Sequence, residues 1–200
     1  MEWIAWGALL IIVLALLAAF VVLPFTSKPL PVLGSMPDFA LTNQDNQNVT
    51  LASLHGDVWI ADVIFTRCAG QCLVMSAHMQ GLQDALPAVS TVRLVSFTTD
   101  AGFDTPPVLK KYAARYSARD GRWIFLTGSK AALRHAEVEG LKLSVMDKAP
   151  GERENADDFF IHSQKFVVID QDGRVRGYYD GDTPEGASQA LAAAKTLARR

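Results

Sequence analysis

Cysteine and excess positive charge are both scarce in this 200-residue chain, and each scarcity excludes a class of protein. Two cysteines cannot build a disulfide-rich scaffold, nor a four-thiolate zinc or iron–sulfur site within one chain. A formal net charge of −2 provides no excess of Lys and Arg to neutralise phosphates, which argues against nucleic acid as a partner. Hydrophobic residues make up 50% and charged residues 20%, which excludes a disordered chain and a polytopic membrane protein.

The longest hydrophobic run lies at the amino terminus. No charged side chain occurs between Trp3 and Phe25, and as a helix this run is roughly 35 Å long, enough to cross a hydrocarbon core of about 30 Å. A cleaved signal peptide is the alternative, but no Lys or Arg precedes the run, the run exceeds a usual signal core, and no clean A-x-A site follows. We therefore predict a transmembrane anchor at residues 1–27, most simply in a bacterial inner membrane.

The remainder of the chain is predicted to be a linker and one domain. Residues 28–37 contain three prolines and a glycine, which predicts a semi-extended linker before a domain at 38–200. Val58–Phe65 is mostly apolar and predicts a central strand buried on both faces. Strand-like and helix-like runs then alternate up to an Ala-rich helix at 184–198, while 146–158 is interpreted as an exposed loop. This order predicts an α/β fold with a thioredoxin-like mixed sheet flanked by helices.

The two cysteines, Cys68 and Cys72, lie where the central strand ends and the next helix begins. A helix amino terminus carries partial positive charge and Arg67 adds a cation, so both favour the thiolate, the form that binds metal and attacks disulfides. Two thiolates suit Cu(I), and an imidazole would complete a three-coordinate site or part of a Cu(II) site. The C-x3-C spacing alone is a weak signal, because a plain disulfide or two small buried residues would show the same spacing.

Four histidines are candidates for the imidazole. His162 immediately precedes the predicted strand Lys165–Asp170, and in a thioredoxin-like topology the loop entering that strand lies beside the cysteine turn. The other candidates are more typical of a core or a solvated surface than of ligands: His78 with Met75 and Met79 on its helix, His55 in a turn, and His135 on a later helix.

Several motifs in the same order carry a family resemblance. The runs are FTRCAGQC, VSFTTDAGFDTPPVLKKYAARY, WIFLTG and IHSQKFVVIDQDGRVRGYY. Together they resemble the Sco/SenC family of copper-delivery proteins over residues 38–198, and a single N-terminal span is also typical of that family. The combination of C-x3-C, a distant histidine and a D-T-P segment is specific, although no single piece is.

The resemblance implies a thioredoxin-like fold and copper bound by Cys68, Cys72 and His162. It also implies a role in assembling the copper centre of cytochrome c oxidase, with an acceptor apo-protein, a cytochrome oxidase subunit, as partner. The domain would then face the periplasm. Asp100 matches an acidic position near the family's copper site, and a solvated loop aspartate is an equal alternative.

The chain departs from the family pattern around these ligands. Family members usually have proline within the C-x3-C and after its second cysteine, where this chain has Ala69-Gly70-Gln71 and Leu73. The residue before the matched histidine is often aspartate, and here it is Ile161. Loss of the prolines loosens the turn, which would change copper affinity or redox behaviour.

The leading interpretation is a membrane-anchored copper metallochaperone rather than an enzyme. The alternative is a thiol–disulfide oxidoreductase in which Cys68 and Cys72 are the catalytic residues and reduce an acceptor apo-protein. Dedicated thioredoxins use C-x2-C, which counts against that alternative. A peroxidase, with Thr66 and Arg67 beside Cys68, is a minor third candidate.

Overall fold

The computed structural model describes residues 29–152 and 159–199, together with Trp6, Ile12 and Val13. The anchor predicted at 1–27 lies outside the described residues, those three apart. Within the part of the chain that is described, no helix combines the length and hydrophobicity needed to cross a membrane. Contacts divide the chain into one unit at Met1–Leu30 and a second at Pro31–Arg200, and only the second is considered below.

An eight-stranded mixed sheet forms the centre of this unit, in the order β1-β10-β9-β4-β5-β6-β2-β3. Its strands are β1 (Gly34–Ser35), β2 (Ala40–Asn43), β3 (Asn48–Thr50), β4 (Val58–Ile64), β5 (Val92–Thr98), β6 (Trp123–Thr127), β9 (Lys165–Ile169) and β10 (Arg174–Asp180). Strands β4, β5 and β6 are parallel, whereas β9 runs antiparallel to β4. Every residue of β4 is buried, as its continuous apolar run predicted.

Four α-helices accompany the sheet in the described residues of this unit: α1 (Gln71–Asp84), α2 (Pro106–Arg115), α3 (Lys130–Arg134) and α4 (Pro184–Ala198). A π-helical turn, His135–Gly140, extends α3. Helix α4 has the bounds that the sequence predicted, because Thr183 caps its first turn and Pro184 occupies the first position, where a missing N–H costs little. This arrangement is the thioredoxin-like α/β fold that the sequence predicted.

The loop predicted at 146–158 is in part a strand. Strand β7 (Val145–Asp147) pairs antiparallel with β8 (Phe160–His162), and together they form a two-stranded ribbon separate from the main sheet. Val145 is buried, whereas Met146 and Ile161, which oppose each other across the ribbon, are exposed. The sequence analysis did not predict this ribbon, because each strand has only three residues and the partner strand is not adjacent in the chain.

The segment predicted as a linker at 28–37 also joins the fold. Gly34 and Ser35 pair with Val175 and Arg174 at the edge of the sheet, and Met36 is buried in the core. Backbone hydrogen bonds from Leu33 and Met36 to strand β10 and its turn explain why a proline-rich segment is ordered here. The proline content predicted an extended backbone, which is also the backbone that an edge strand needs.

The parallel strands place their following loops at one edge of the sheet. The turn after β4 contains Cys68, and the loop after β5 contains Asp100 and Asp104. Because β9 is antiparallel to β4, its amino-terminal end lies at this same edge, and His162 stands just before that end. The carboxyl ends of parallel strands are where open α/β sheets place their ligands.

Candidate functional site

The predicted ligands Cys72 and His162 are in contact. The His162 Nε2 atom lies 3.1 Å from the Cys72 Sγ atom, across 90 residues of sequence. His162 Nδ1 lies 3.3 Å from the Ser163 carbonyl oxygen. A carbonyl only accepts, so Nδ1 is the donor where this contact is a hydrogen bond, and in that tautomer the Nε2 atom that faces the sulfur has the lone pair.

Both cysteines are free thiols, and Cys72 is fully buried whereas Cys68 is half-buried. A hydrogen bond from Cys72 lowers the pKa of Cys68 to about 4, although burial acts in the opposite direction. The same hydrogen bond, together with burial, raises the pKa of Cys72. At neutral pH the pair therefore consists of an accessible Cys68 thiolate and a buried Cys72 thiol, the arrangement of an attacking thiolate beside a second, protonated thiol.

The helix amino terminus and the sheet determine where the cysteines lie. Cys72 is the second residue of α1, and Gly70 precedes the helix without a side chain that could cap it. The unpaired N–H groups of this first turn point towards the cysteine turn, where they favour negative charge. Ala69 and Gly70 are exposed, so the three residues between the cysteines leave the site open to solvent on that side.

Asp104 holds Thr66, two residues before Cys68, in place. Its carboxylate accepts hydrogen bonds from the Thr66 backbone N–H, at 3.0 Å, and from the Thr66 and Thr98 hydroxyls. Thr98 in turn accepts from the Asp100 N–H at 3.1 Å. Burial raises the pKa of Asp104, and the hydrogen bonds from Thr66 and Thr98 oppose this effect. The sequence analysis predicted only that the segment beginning at Asp104 opens a helix. It did not predict the hydrogen bonds that join Asp104 to the cysteine turn.

Asp100 is buried and paired with Arg67, so it is not the solvated loop aspartate that the sequence analysis gave as an alternative. The Arg67 Nη2 and Nε atoms lie 2.6 and 3.0 Å from the Asp100 Oδ2 atom. The sequence interpretation of Arg67 as a cation that favours the Cys68 thiolate needs correction, since this carboxylate compensates its charge. The cause of the lowered pKa of Cys68 is, first of all, the hydrogen bond from Cys72.

A buried carboxyl group lies beneath the site. Asp62 of β4 is fully buried, and in the described part of the chain neither of its oxygens has a hydrogen-bond partner. Burial raises the pKa of Asp62 to about 7, which the neighbouring Ser96 hydroxyl offsets only in part. Asp62 in turn contributes to the raised pKa of Cys72 through its charge. An aspartate within the apolar run of β4 indicates a buried carboxyl group, and the sequence analysis did not identify it.

The other histidines and methionines named in the sequence analysis do not join the site. The His78 Nδ1 atom lies 2.8 Å from the Gly181 carbonyl oxygen and donates to it, which ties α1 to the loop before α4. Met75 and Met79 are fully buried, while His55 and His135 are exposed. As they stand, no three His, Cys, Asp or Glu side chains in residues 29–152 and 159–199 lie close enough together to enclose a metal ion.

The fold and the site define a class of thioredoxin-like proteins with two free cysteines at a helix amino terminus and a histidine from a separate ribbon. The family model for SCO1/SenC matches residues 32–199, so the chain belongs to the SCO1/SenC family. It is 40% identical over 153 residues to the SCO1 protein homolog of Bacillus subtilis, covering 76% of each chain.

Solved structures agree with this assignment. The structure of BsSco, described as a member of the Sco family of cytochrome c oxidase assembly proteins with a disulfide switch, matches with a TM-score of 0.73 and 34% identity. That match covers 86% of this chain and 99% of BsSco. The fold of copper-bound ScoI from Bradyrhizobium japonicum matches with a TM-score of 0.67 and 21% identity, covering 82% of this chain and 99% of that one.

Proposed function

We propose that this protein is a copper metallochaperone that binds copper through Cys68, Cys72 and His162 and passes it to an acceptor apo-protein, a subunit of cytochrome c oxidase. The observation that carries the proposal is the 3.1 Å contact between Cys72 and His162 beside a second free cysteine. Two sulfurs and one imidazole form a soft donor set that suits Cu(I). The descriptions of the relatives, cytochrome c oxidase assembly for BsSco and bound copper for ScoI, support the same function.

The protonation states of the three proposed donors suit the binding of copper. Cys68 is a thiolate at neutral pH, Cys72 releases one proton when copper binds, and the Nε2 lone pair of His162 is directed at the sulfur. A metal-bound histidine commonly donates its other ring N–H to a carbonyl, as Nδ1 does to Ser163 here. Binding also requires the three donors to draw closer together, since they do not enclose an ion as they stand.

We also propose that residues 1–27 form a single membrane span that holds the domain on the periplasmic side of a bacterial inner membrane. The support is the uncharged run from Trp3 to Phe25. A tethered domain with few, replaceable ligands suits transfer by ligand exchange to a membrane-bound acceptor.

A copper titration of the reduced full-length protein in detergent tests the proposal. We expect one Cu(I) per chain in competition with a chromophoric chelator, and loss of that binding in Cys68→Ser, Cys72→Ser and His162→Ala. His55→Ala is the matched control, because His55 is exposed and precedes β4, whereas the cysteine turn follows the other end of that strand. Unchanged copper affinity in His162→Ala would contradict the ligand set. Oxidation to a Cys68–Cys72 disulfide should abolish Cu(I) binding, because a disulfide offers no thiolate.

The second candidate function is thiol–disulfide exchange, favoured by the opposite pKa shifts of the two cysteines. The Cys68 thiolate would attack an acceptor disulfide and form a mixed disulfide, releasing one acceptor thiolate. Cys72, once deprotonated, would then attack Cys68, forming the Cys68–Cys72 disulfide and releasing the second acceptor thiolate. Two electrons pass to the acceptor, and an external dithiol must return them before another cycle. Reductase activity that survives in His162→Ala while copper binding is also unchanged would favour this function over copper delivery.

A further inference from the structure

Arg67, the residue before Cys68, contacts two other segments of the chain. Its guanidinium is paired with Asp100 of the loop after β5, with Nη2 to Oδ2 at 2.6 Å. The guanidinium carbon also lies 4.4 Å from the ring centroid of Phe103 and 3.9 Å from that of Phe159. Phe159 directly precedes β8, the strand that ends in His162. One side chain therefore links the cysteine turn to the segment that carries the histidine.

The histidine segment has attachments besides Arg67, since Val145 of β7 is buried in the core and Asp147 pairs with Lys130 and Arg134 of α3. Strands β7 and β8 pair with each other, and neither pairs with the eight-stranded sheet. Phe160 packs edge-on against Phe65, with ring centroids 5.2 Å apart, and the His162 ring does the same at 5.8 Å. These aromatic contacts and the contact between Arg67 and Phe159 thus lie between the histidine ribbon and the end of β4.

The shape of arginine matters in this position. A planar guanidinium can stack between two rings while its edge pairs with a carboxylate, whereas a lysine ammonium cannot do both. The Arg67 side chain is 31% exposed and Asp100 is 8% exposed, so the ion pair is mostly buried and a cation at position 67 is needed to compensate the Asp100 carboxylate. The stacking on the rings is separable from that charge, because lysine keeps the charge and loses the planar guanidinium.

We propose that Arg67 is a positioning residue that holds the His162 ribbon against the cysteine turn, so that the imidazole stays beside Cys72 before any metal joins them. Its stacking on Phe159 is the contact that does this, and Asp100 orients the guanidinium. The consequence for copper affinity rests on the proposed function. The position of the ribbon in the metal-free protein can be tested whether or not the protein delivers copper.

Histidine NMR of the reduced, metal-free, full-length protein in detergent tests the position of the ribbon. In the wild type, His162 ring protons should show nuclear Overhauser contacts to the Phe65 ring, because the two rings are edge to face. We expect these contacts to weaken at least twofold in Arg67→Ala, Arg67→Lys and Phe159→Leu. The last two variants keep a cation beside Asp100, so their thermal midpoints should stay close to that of the wild type. Arg115→Ala is the matched control, because Arg115 is an exposed arginine over the Tyr116 ring on α2.

Copper release provides the second measurement. A contact of this kind corresponds to roughly a tenfold change in an equilibrium constant, so Cu(I) should dissociate about tenfold faster from Arg67→Ala than from the wild type. Wild-type contacts and release in Arg67→Ala or Phe159→Leu would overturn the proposal, and wild-type behaviour of Arg67→Lys would overturn the role of stacking. If the wild type binds no copper, the proposed function fails, and the NMR contacts still decide the role of Arg67.

Discussion

The two halves of the candidate site are held in different ways. The cysteine turn follows a fully buried strand, and Asp104 and Asp100 fix it through charge-assisted hydrogen bonds to Thr66 and Arg67. The histidine ribbon lies outside the main sheet and consists of two three-residue strands whose outer residues, Met146 and Ile161, are exposed. Its contacts with the cysteine half are aromatic and cation–π contacts rather than a strand ladder.

This difference matters for the proposed delivery of copper, in which the site would both acquire and release the metal. Two donors lie on the turn after a buried strand, whereas the third lies on a ribbon outside the main sheet. Segments with few buried contacts open more easily than core strands do. We therefore expect substitutions in the cysteine half to change the stability of the whole domain, and substitutions in the ribbon to change mainly the local position of His162.

The largest expected effect concerns Asp62 beneath the cysteine half. Its pKa is raised from 3.8 to about 7, so the cost of ionising it in the folded state appears as the pH rises from about 4 to 7 and is complete above 7. Asp62→Asn removes this cost. The stability of the variant relative to the wild type should increase by about 4 kcal/mol between pH 4 and pH 8, measured by urea unfolding.

The exposed aspartate at the end of α1 is the control for that experiment. Asp84 is 57% exposed and paired with Arg119, so Asp84→Asn should show no comparable dependence on pH. A stability difference between Asp62→Asn and the wild type that is equal at pH 4 and pH 8 would contradict the assignment.

Removal of Asp104 should have the next largest effect. Asp104→Ala leaves the buried Thr98 hydroxyl and the Thr66 N–H without their acceptor and should lower the free energy of unfolding by about 3 kcal/mol. Denaturant unfolding measures the loss, and Asp84→Ala should cost less than about 0.5 kcal/mol in the same experiment. A cost for Asp104→Ala as small as that of the control would show that the cysteine turn does not depend on this anchor.

A substitution at the inner face of the ribbon should lower the free energy of unfolding by less than Asp104→Ala does. Phe160 is only partly buried, so Phe160→Ala should lower the free energy of unfolding by about 1–2 kcal/mol. Because Phe160 packs on Phe65, the ring contacts between His162 and Phe65 should weaken as well, which NMR measures directly. A global loss larger than that of Asp104→Ala would reverse the proposed contrast between the two halves.

The smallest effect is expected at the outer face of the ribbon. Ile161 is 49% exposed, so Ile161→Ser should change the free energy of unfolding by less than about 0.5 kcal/mol and leave Cu(I) affinity unchanged. Thermal unfolding and the chelator competition measure both quantities. A clear loss of stability would show that this face is packed, contrary to its exposure.

Local signals in the sequence predicted much of the fold. The buried run of β4, the capped helix α4 and the turn at Gly173, whose φ of +74° favours glycine, are all properties of adjacent residues. The pairing of β7 with β8 and the entry of Gly34–Ser35 into the sheet depend on partners far along the chain, and periodicity cannot show them.

The candidate ligands were also predictable as residue types, but their surroundings were not. Cys68 and Cys72 stand out because a helix amino terminus favours thiolates, although their spacing alone also fits a plain disulfide, and His162 was selected by topology. The role of Arg67 was misassigned, because sequence proximity to Cys68 suggested an effect of charge, whereas Asp100 compensates that charge in the structure. Asp62 and Asp104 were missed as parts of the site: the apolar neighbours of Asp62 in β4 were a local indication of burial, whereas nothing local distinguishes Asp104 from a solvated aspartate.

The sequence by itself determined the class of fold, the order of the main strands and helices without β1, β7 and β8, and the donor types available for a soft metal. Those follow from hydrophobic periodicity and side-chain chemistry, which are local. The tertiary structure alone decided which thiol is ionised, which aspartate anchors the turn, and how His162 reaches Cys72 from a separate ribbon. Burial and hydrogen bonding between segments far apart in the chain set all three, and they exist only once the chain is folded.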